Sequence, residues 1–83
     1  MQTQNRLITI QGLVVPVEWD EGGRIIATAI STYLEEEYLI ELDTCGQELS
    51  ALLRQNVQVS GTVRQDDCGN KIITVRKYET VAI

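Results

Sequence analysis

Apolar and polar residues alternate with a period of two along most of this chain, and breaks in that alternation mark the turns and one short helix. Residues 7–19 open with Ile8 and Ile10 on one face and Thr9 and Gln11 on the other. Gly12 interrupts the run, as glycines do at bulges and barrel corners. Pro16 cannot donate to a strand ladder, so the second half of the segment belongs at an edge or leaves the sheet. One long, bent first strand is predicted. The cluster Asp20-Glu21-Gly22-Gly23 is a turn signal, and residues 24–33 carry Ile25, Ile26, Thr28, Ile30 and Thr32, the β-branched content of a second strand. After Leu34-Glu35-Glu36-Glu37, residues 38–43 put Tyr38, Ile40 and Leu42 on one face and Glu41 and Asp43 on the other, predicting a third strand.

The period then changes. In residues 47–55, Leu49, Leu52 and Leu53 fall at i, i+3 and i+4, the signature of a helix with one apolar side. Thr44 and Gln47 match a capping box, Glu48 suits the positive end of the helix dipole, and Asn56 is a candidate left-handed stop. A helix this short is marginal alone in water, so its leucines must pack on something. Residues 57–64 return to clean alternation, with Val57, Val59, Gly61 and Val63 inward. Residues 65–70 form a hairpin loop, residues 71–78 a last strand carrying Ile72, Ile73 and Val75, and the tail with Val81 and Ile83 extends the sheet or frays.

Three strands with a bent first member, a short helix, then a final hairpin is the order of the OB-fold. The segment Val57-Gln-Val-Ser-Gly-Thr-Val-Arg, followed by Asp-Cys-Gly-Asn-Lys-Ile-Ile-Thr-Val-Arg-Lys-Tyr-Glu, resembles the fourth and fifth strands of many bacterial OB domains. There a V-x-V-x-G-x-V strand turns through D-x-x-G into an apolar strand. The expected fold is therefore all-β: a single OB-like domain over residues 1–83, five-stranded, with one short helix between strands three and four. An SH3-like barrel is the competitor, and the helix position favours the OB order. The resemblance also implies a place for a ligand, along strands two and three beside the loops joining strands 1–2 and 4–5.

Composition narrows the function. With 83 residues the chain forms one small domain with a thin core, which favours surface recognition over a deep cavity. Twelve acidic and seven basic residues give a net charge of −5. Residues 18–48, which include the expected ligand face, hold nine carboxylates and a single arginine, Arg24. Such a face repels a phosphate chain, whose binding depends on Lys and Arg. The basic residues Arg64, Lys71, Arg76 and Lys77 lie on the last hairpin, either as a solvated face or as a dock for an acidic partner, including a second copy.

Trp19 reads as a stacking platform or as a cover on one barrel end with its N–H hydrogen-bonded. Tyr38 reads as core or rim packing, while Tyr33 and Tyr78 pack across strands or face a ligand. Glu35-Glu36-Glu37 reads as a solvated turn that discourages edge pairing. Cys45 and Cys68 each sit in an Asp-x-Cys-Gly context that reads as a turn, with no C-x-x-C and no histidine to complete a zinc site. No metal or other cofactor is expected. No nucleophile has a base beside it, and no carboxylate pair is placed for acid–base work.

The expectation is a non-enzymatic module that binds protein or itself. The alternative is a single-stranded nucleic-acid-binding domain, with Trp19 and Tyr33 stacking and Arg64, Lys71, Arg76 and Lys77 touching backbone. No membrane span is present in the sequence. The polar start leading into a strand does not read as a signal peptide, so a cytoplasmic location is expected.

Overall fold

The computed structural model describes residues 7–82. Ile83 lies outside them. The elements are β1 (Ile8–Trp19), β2 (Ile25–Thr32), β3 (Glu37–Ile40), α1 (Thr44–Ser50), β4 (Asn56–Gln65) and β5 (Lys71–Thr80). They form a closed barrel in the order β1-β2-β3-β5-β4, antiparallel throughout except for β3 against β5. This closed, five-stranded, OB-like barrel matches the architecture expected from the sequence, including the helix between β3 and β4.

Closure depends on β1 serving two neighbours. Residues 8–13 pair with β4 and residues 12–19 with β2, so Gly12 stands opposite both Val57 and Thr32. A Cβ at Gly12 would run into the Ser31 carbonyl oxygen, so only glycine allows the two strands to close in at this bend. Beyond it, the Val14 N–H donates to Gln55 O (3.1 Å) and the Val14 carbonyl accepts from the Arg54 N–H (2.7 Å). Pro16 is the next residue in step with Val14, where β4 no longer reaches. Lacking an N–H, it leaves that edge without a donor for a foreign strand.

The barrel interior is filled by Val14, Ile30, Tyr38, Ile40, Val57, Val59, Ile73 and Val75, with Leu49 from α1 fully buried among them. Thr28 is the one buried polar side chain among the described residues, and its hydroxyl shares a 2.6 Å hydrogen bond with that of Ser50. That bond ties β2 to the helix.

Five local expectations are corrected. The helix spans Thr44–Ser50 rather than residues 47–55. Its cap is Asp43, whose Oδ1 accepts from the Gly46 N–H at 2.8 Å, and not Thr44. A carboxylate already in extended conformation one residue earlier supplies the same acceptor. Leu52 and Leu53 still pack against the core, but from the turns between α1 and β4. The left-handed stop falls on Arg54 (φ 65) rather than Asn56, which opens β4. β3 ends at Ile40, so Leu42 leaves the sheet and is exposed. Finally, Cys45 lies in the first turn of α1, not in a loop turn.

Candidate binding surface

Alternation that sends Ile30, Tyr38 and Ile73 inward sends their neighbours outward, and those neighbours are apolar too. Register pairing places Val15 opposite Ala29, Ala29 opposite Leu39, and Leu39 opposite Ile72, a continuous row across β1, β2, β3 and β5. Ala29 faces out of the barrel yet is fully buried. On β2 the small residues Ala27, half-buried, and Ala29, fully covered by its neighbours, lie at the centre of this row, so the outer face dips there as a shallow trough. Its walls are Leu13 and Val15 on one side and Leu39 on the other. The wall strands lie two inter-strand spacings apart, about 10 Å. At the Ala27 end the apolar surface continues round the barrel rim to Leu42, Ile26 and Leu53 beside α1. Leu42, Ile26 and Ile25 are all exposed. None of the aromatic residues lies in the row itself.

Carboxylates frame this trough. Glu37 on β3 and Glu41 just past its end stand two residues either side of Leu39, and Glu18 is the register partner of Ala27. Arg64, beyond Ile72, is ion-paired with Glu41. At the barrel end, Lys71 donates to Glu36 Oε2 at 3.0 Å and lies 5.0 Å from the centre of the Tyr38 ring. The Tyr38 hydroxyl donates to the other oxygen of the same carboxylate at 3.3 Å. The Lys71 hydrogen bond and charge hold the Glu36 carboxyl below its ordinary range, and the Glu36 hydrogen bond raises Lys71. These two ion pairs are the ones found among the described residues.

The six residues singled out from the sequence do not converge. Trp19 is half exposed at the end of β1 opposite Ile25, and none of the hydrogen bonds among the described residues involves its indole. Tyr33 is largely exposed in the turn after β2. The length of β2 separates the two rings, about 23 Å along the strand at roughly 3.3 Å per residue. Arg64 and Lys71 flank the hairpin and each holds a carboxylate. Arg76 is the extra residue of a bulge, since Ser60 pairs with Lys77 and Gly61 with Val75. Lys77 lies about 20 Å along β5 from Lys71.

Tyr38 takes the core position expected of it. Tyr78 packs on the core and donates to Glu48 Oε1 at 3.0 Å, which raises its hydroxyl pKa. Both cysteines are free, Cys45 half-buried with its thiol 3.9 Å from the Arg76 carbonyl and Cys68 exposed.

Sequence reasoning missed the trough. Its signal was present in Val15, Ala27, Ala29, Leu39 and Ile72, apolar residues at the outward step of strands whose inward step is also apolar. Strands apolar on both faces depart from the inward-apolar, outward-polar alternation usual where one face meets water. Among the described residues, no helix is long and apolar enough to cross a membrane. The chain matches no protein-family model and no curated protein.

Proposed function

We propose that this protein is a non-enzymatic recognition module that binds a segment of another protein on the shallow apolar trough across β1, β2, β3 and β5. The observation that carries the proposal is the unbroken outward row Val15–Ala29–Leu39–Ile72. An apolar surface of this kind gains by removal from water, at about 25 cal/mol per Å². The resemblance to OB domains points to the same face. Two unpaired thiols suit the reducing cytoplasm, the location we assign to it.

Single-stranded nucleic acid is the competing ligand. Its binding would combine stacking rings with free cations along one groove. Trp19 and Tyr33 stand at opposite ends of β2, and Arg64 and Lys71 are held by Glu41 and Glu36, which favours a protein partner.

Selection of displayed random peptides on the wild type and on Leu39→Glu tests the proposal. Peptides enriched on the wild type are expected to lose binding to the variant, whose barrel interior is untouched. Equal enrichment on both would refute trough recognition. Salt-sensitive quenching of Trp19 fluorescence by a single-stranded oligonucleotide would favour the competing ligand.

A further inference from the structure

Resting on the trough proposal, we infer that the bound segment is held by two bulky, uncharged side chains, aliphatic or aromatic, that enter hollows on either side of Leu42, with basic rather than acidic residues flanking them.

The hollows follow from where β3 stops. Carried on in the register of Ala29 with Leu39, β3 would set Glu41 opposite Ala27 and Leu42 opposite Ile26. Instead the Glu41 N–H donates to Ile73 O at 3.0 Å, and Leu42 leaves the sheet. β2 runs on to Ile25 without that neighbour. The gap is a hollow of about 150 Å³ between residues 25–28 of β2 and Leu42, Ser50 and Leu53. A second hollow, of about 250 Å³, lies over Ala27, Leu39 and Ile72. Ala27 and Leu42 line both. An apolar space of about 150 Å³ accepts a benzene-sized group, so each hollow has room for one leucine- or phenylalanine-sized side chain.

The lining selects uncharged anchors. Its polar side chains are already matched: the Thr28 and Ser50 hydroxyls bond each other at 2.6 Å, and Arg64 is paired with Glu41. A charged ligand group would shed water there for groups that already have partners. Four of the seven exposed large apolar residues among the described ones gather at this end, Ile25, Ile26, Leu42 and Trp19, the register partner of Ile25. Surface of this kind gains by being covered.

Charge selects the flanks. Glu18, Asp20, Glu21 and Asp43 adjoin the lining segments, against Arg24 and Arg54, and none of the six belongs to an ion pair found among the described residues. This excess of carboxylates favours basic flanks. It disfavours a second copy, whose equivalent end would bring the same excess.

The experiment selects displayed random dodecapeptides on the full-length wild type and tests them on three variants. Ala27→Leu fills both hollows, Leu42→Ser removes the wall between them at an exposed position, and Leu39→Glu tests the trough. Thermal unfolding checks that each variant is folded. Peptides enriched on the wild type are expected to carry at least two of Leu, Ile, Phe and Trp, with Lys and Arg outnumbering Asp and Glu. They should bind at least about tenfold more weakly to Ala27→Leu and to Leu42→Ser. Weaker binding to Leu39→Glu with the other two variants unaffected overturns the anchors and leaves trough recognition standing. Enriched peptides that lack a bulky apolar pair, or that carry an acidic excess, do the same. Undiminished binding to all three variants, or no enrichment over an unrelated protein, overturns trough and anchors alike. Self-association of the wild type that Ala27→Leu abolishes gives the hollows to a second copy and overturns the peptide partner.

Discussion

Leu49 is the one helix residue whose side chain lies fully inside the barrel, and it comes from a helix of seven residues. Neither could persist without the other: the helix is too short to stand alone, and the barrel end would otherwise stay open to water. Truncating Leu49 to alanine is expected to cost about 2–5 kcal/mol, from lost transfer energy plus the cavity left behind. That is a large share of the roughly 5–15 kcal/mol that holds a typical domain folded. Urea unfolding followed by the far-ultraviolet signal measures it, and a loss below about 1 kcal/mol would mean the barrel end collapses to fill the space. The Thr28–Ser50 hydroxyl pair makes a second, independent tie between β2 and the helix. Replacing Thr28 by valine keeps the shape and strips Ser50 of its partner, with an expected cost of about 1–3 kcal/mol in the same assay. At this scale the apolar identity of Leu49 was legible from its spacing. The polar partner of Thr28 was not, because β2 and α1 meet only in three dimensions.

At the scale of elements, the two hairpins use one turn. In the first, the Asp20 N–H donates to Arg24 O, the Gly23 N–H donates to Asp20 O, and Asp20 Oδ1 accepts from the N–H groups of Gly22 and Arg24. In the second, Asp66, Cys68, Gly69 and Asn70 repeat that pattern bond for bond. Each turn places a glycine at positive φ, 85° at Gly23 and 87° at Gly69, where side chains are disfavoured. Hydrogen bonds from Asn70 above all, and also from Cys68 and Gly69, hold the Asp66 carboxyl below its ordinary range. A carboxylate whose folded pKa is depressed contributes stability that is fully present above its unfolded value. That stability is lost as pH falls through the folded value. Acidification below the ordinary carboxylate range is therefore expected to loosen the β4–β5 turn, seen as faster amide exchange at Cys68 and Asn70 than in the barrel strands. Asp66→Asn should remove most of that pH dependence, and unchanged dependence in the variant would assign it elsewhere. The same four-residue pattern also occurs as Asp43-Thr44-Cys45-Gly46, yet there the aspartate caps α1. The local sequence specifies a side chain that accepts from the backbone a few residues on, and the periodicity of the next segment decides whether a strand or a helix results.

Across the whole molecule, charge and apolar surface are separated. The acidic stretch of residues 18–48 borders the trough, while Arg76 and Lys77 lie beside the bulge on β5. Sedimentation velocity at low salt should show a monomer across the accessible concentration range, since facing troughs bring like charges together. A dimer at low salt that dissolves as salt is added would instead mean that the basic strand of one copy docks on the acidic rim of another.

The order of elements, the inward faces of the strands and the two hairpin turns are set by the sequence by itself. They depend on contacts within a few residues and on a period of two that leaves one face no alternative to burial. The end of β3, the cap and length of α1, the fate of Leu42 and the scattering of the six candidate residues depended on the tertiary structure. So did the trough, because Val15, Ala29, Leu39 and Ile72 are far apart in the chain and become one surface only when closure of the barrel fixes the register between four strands.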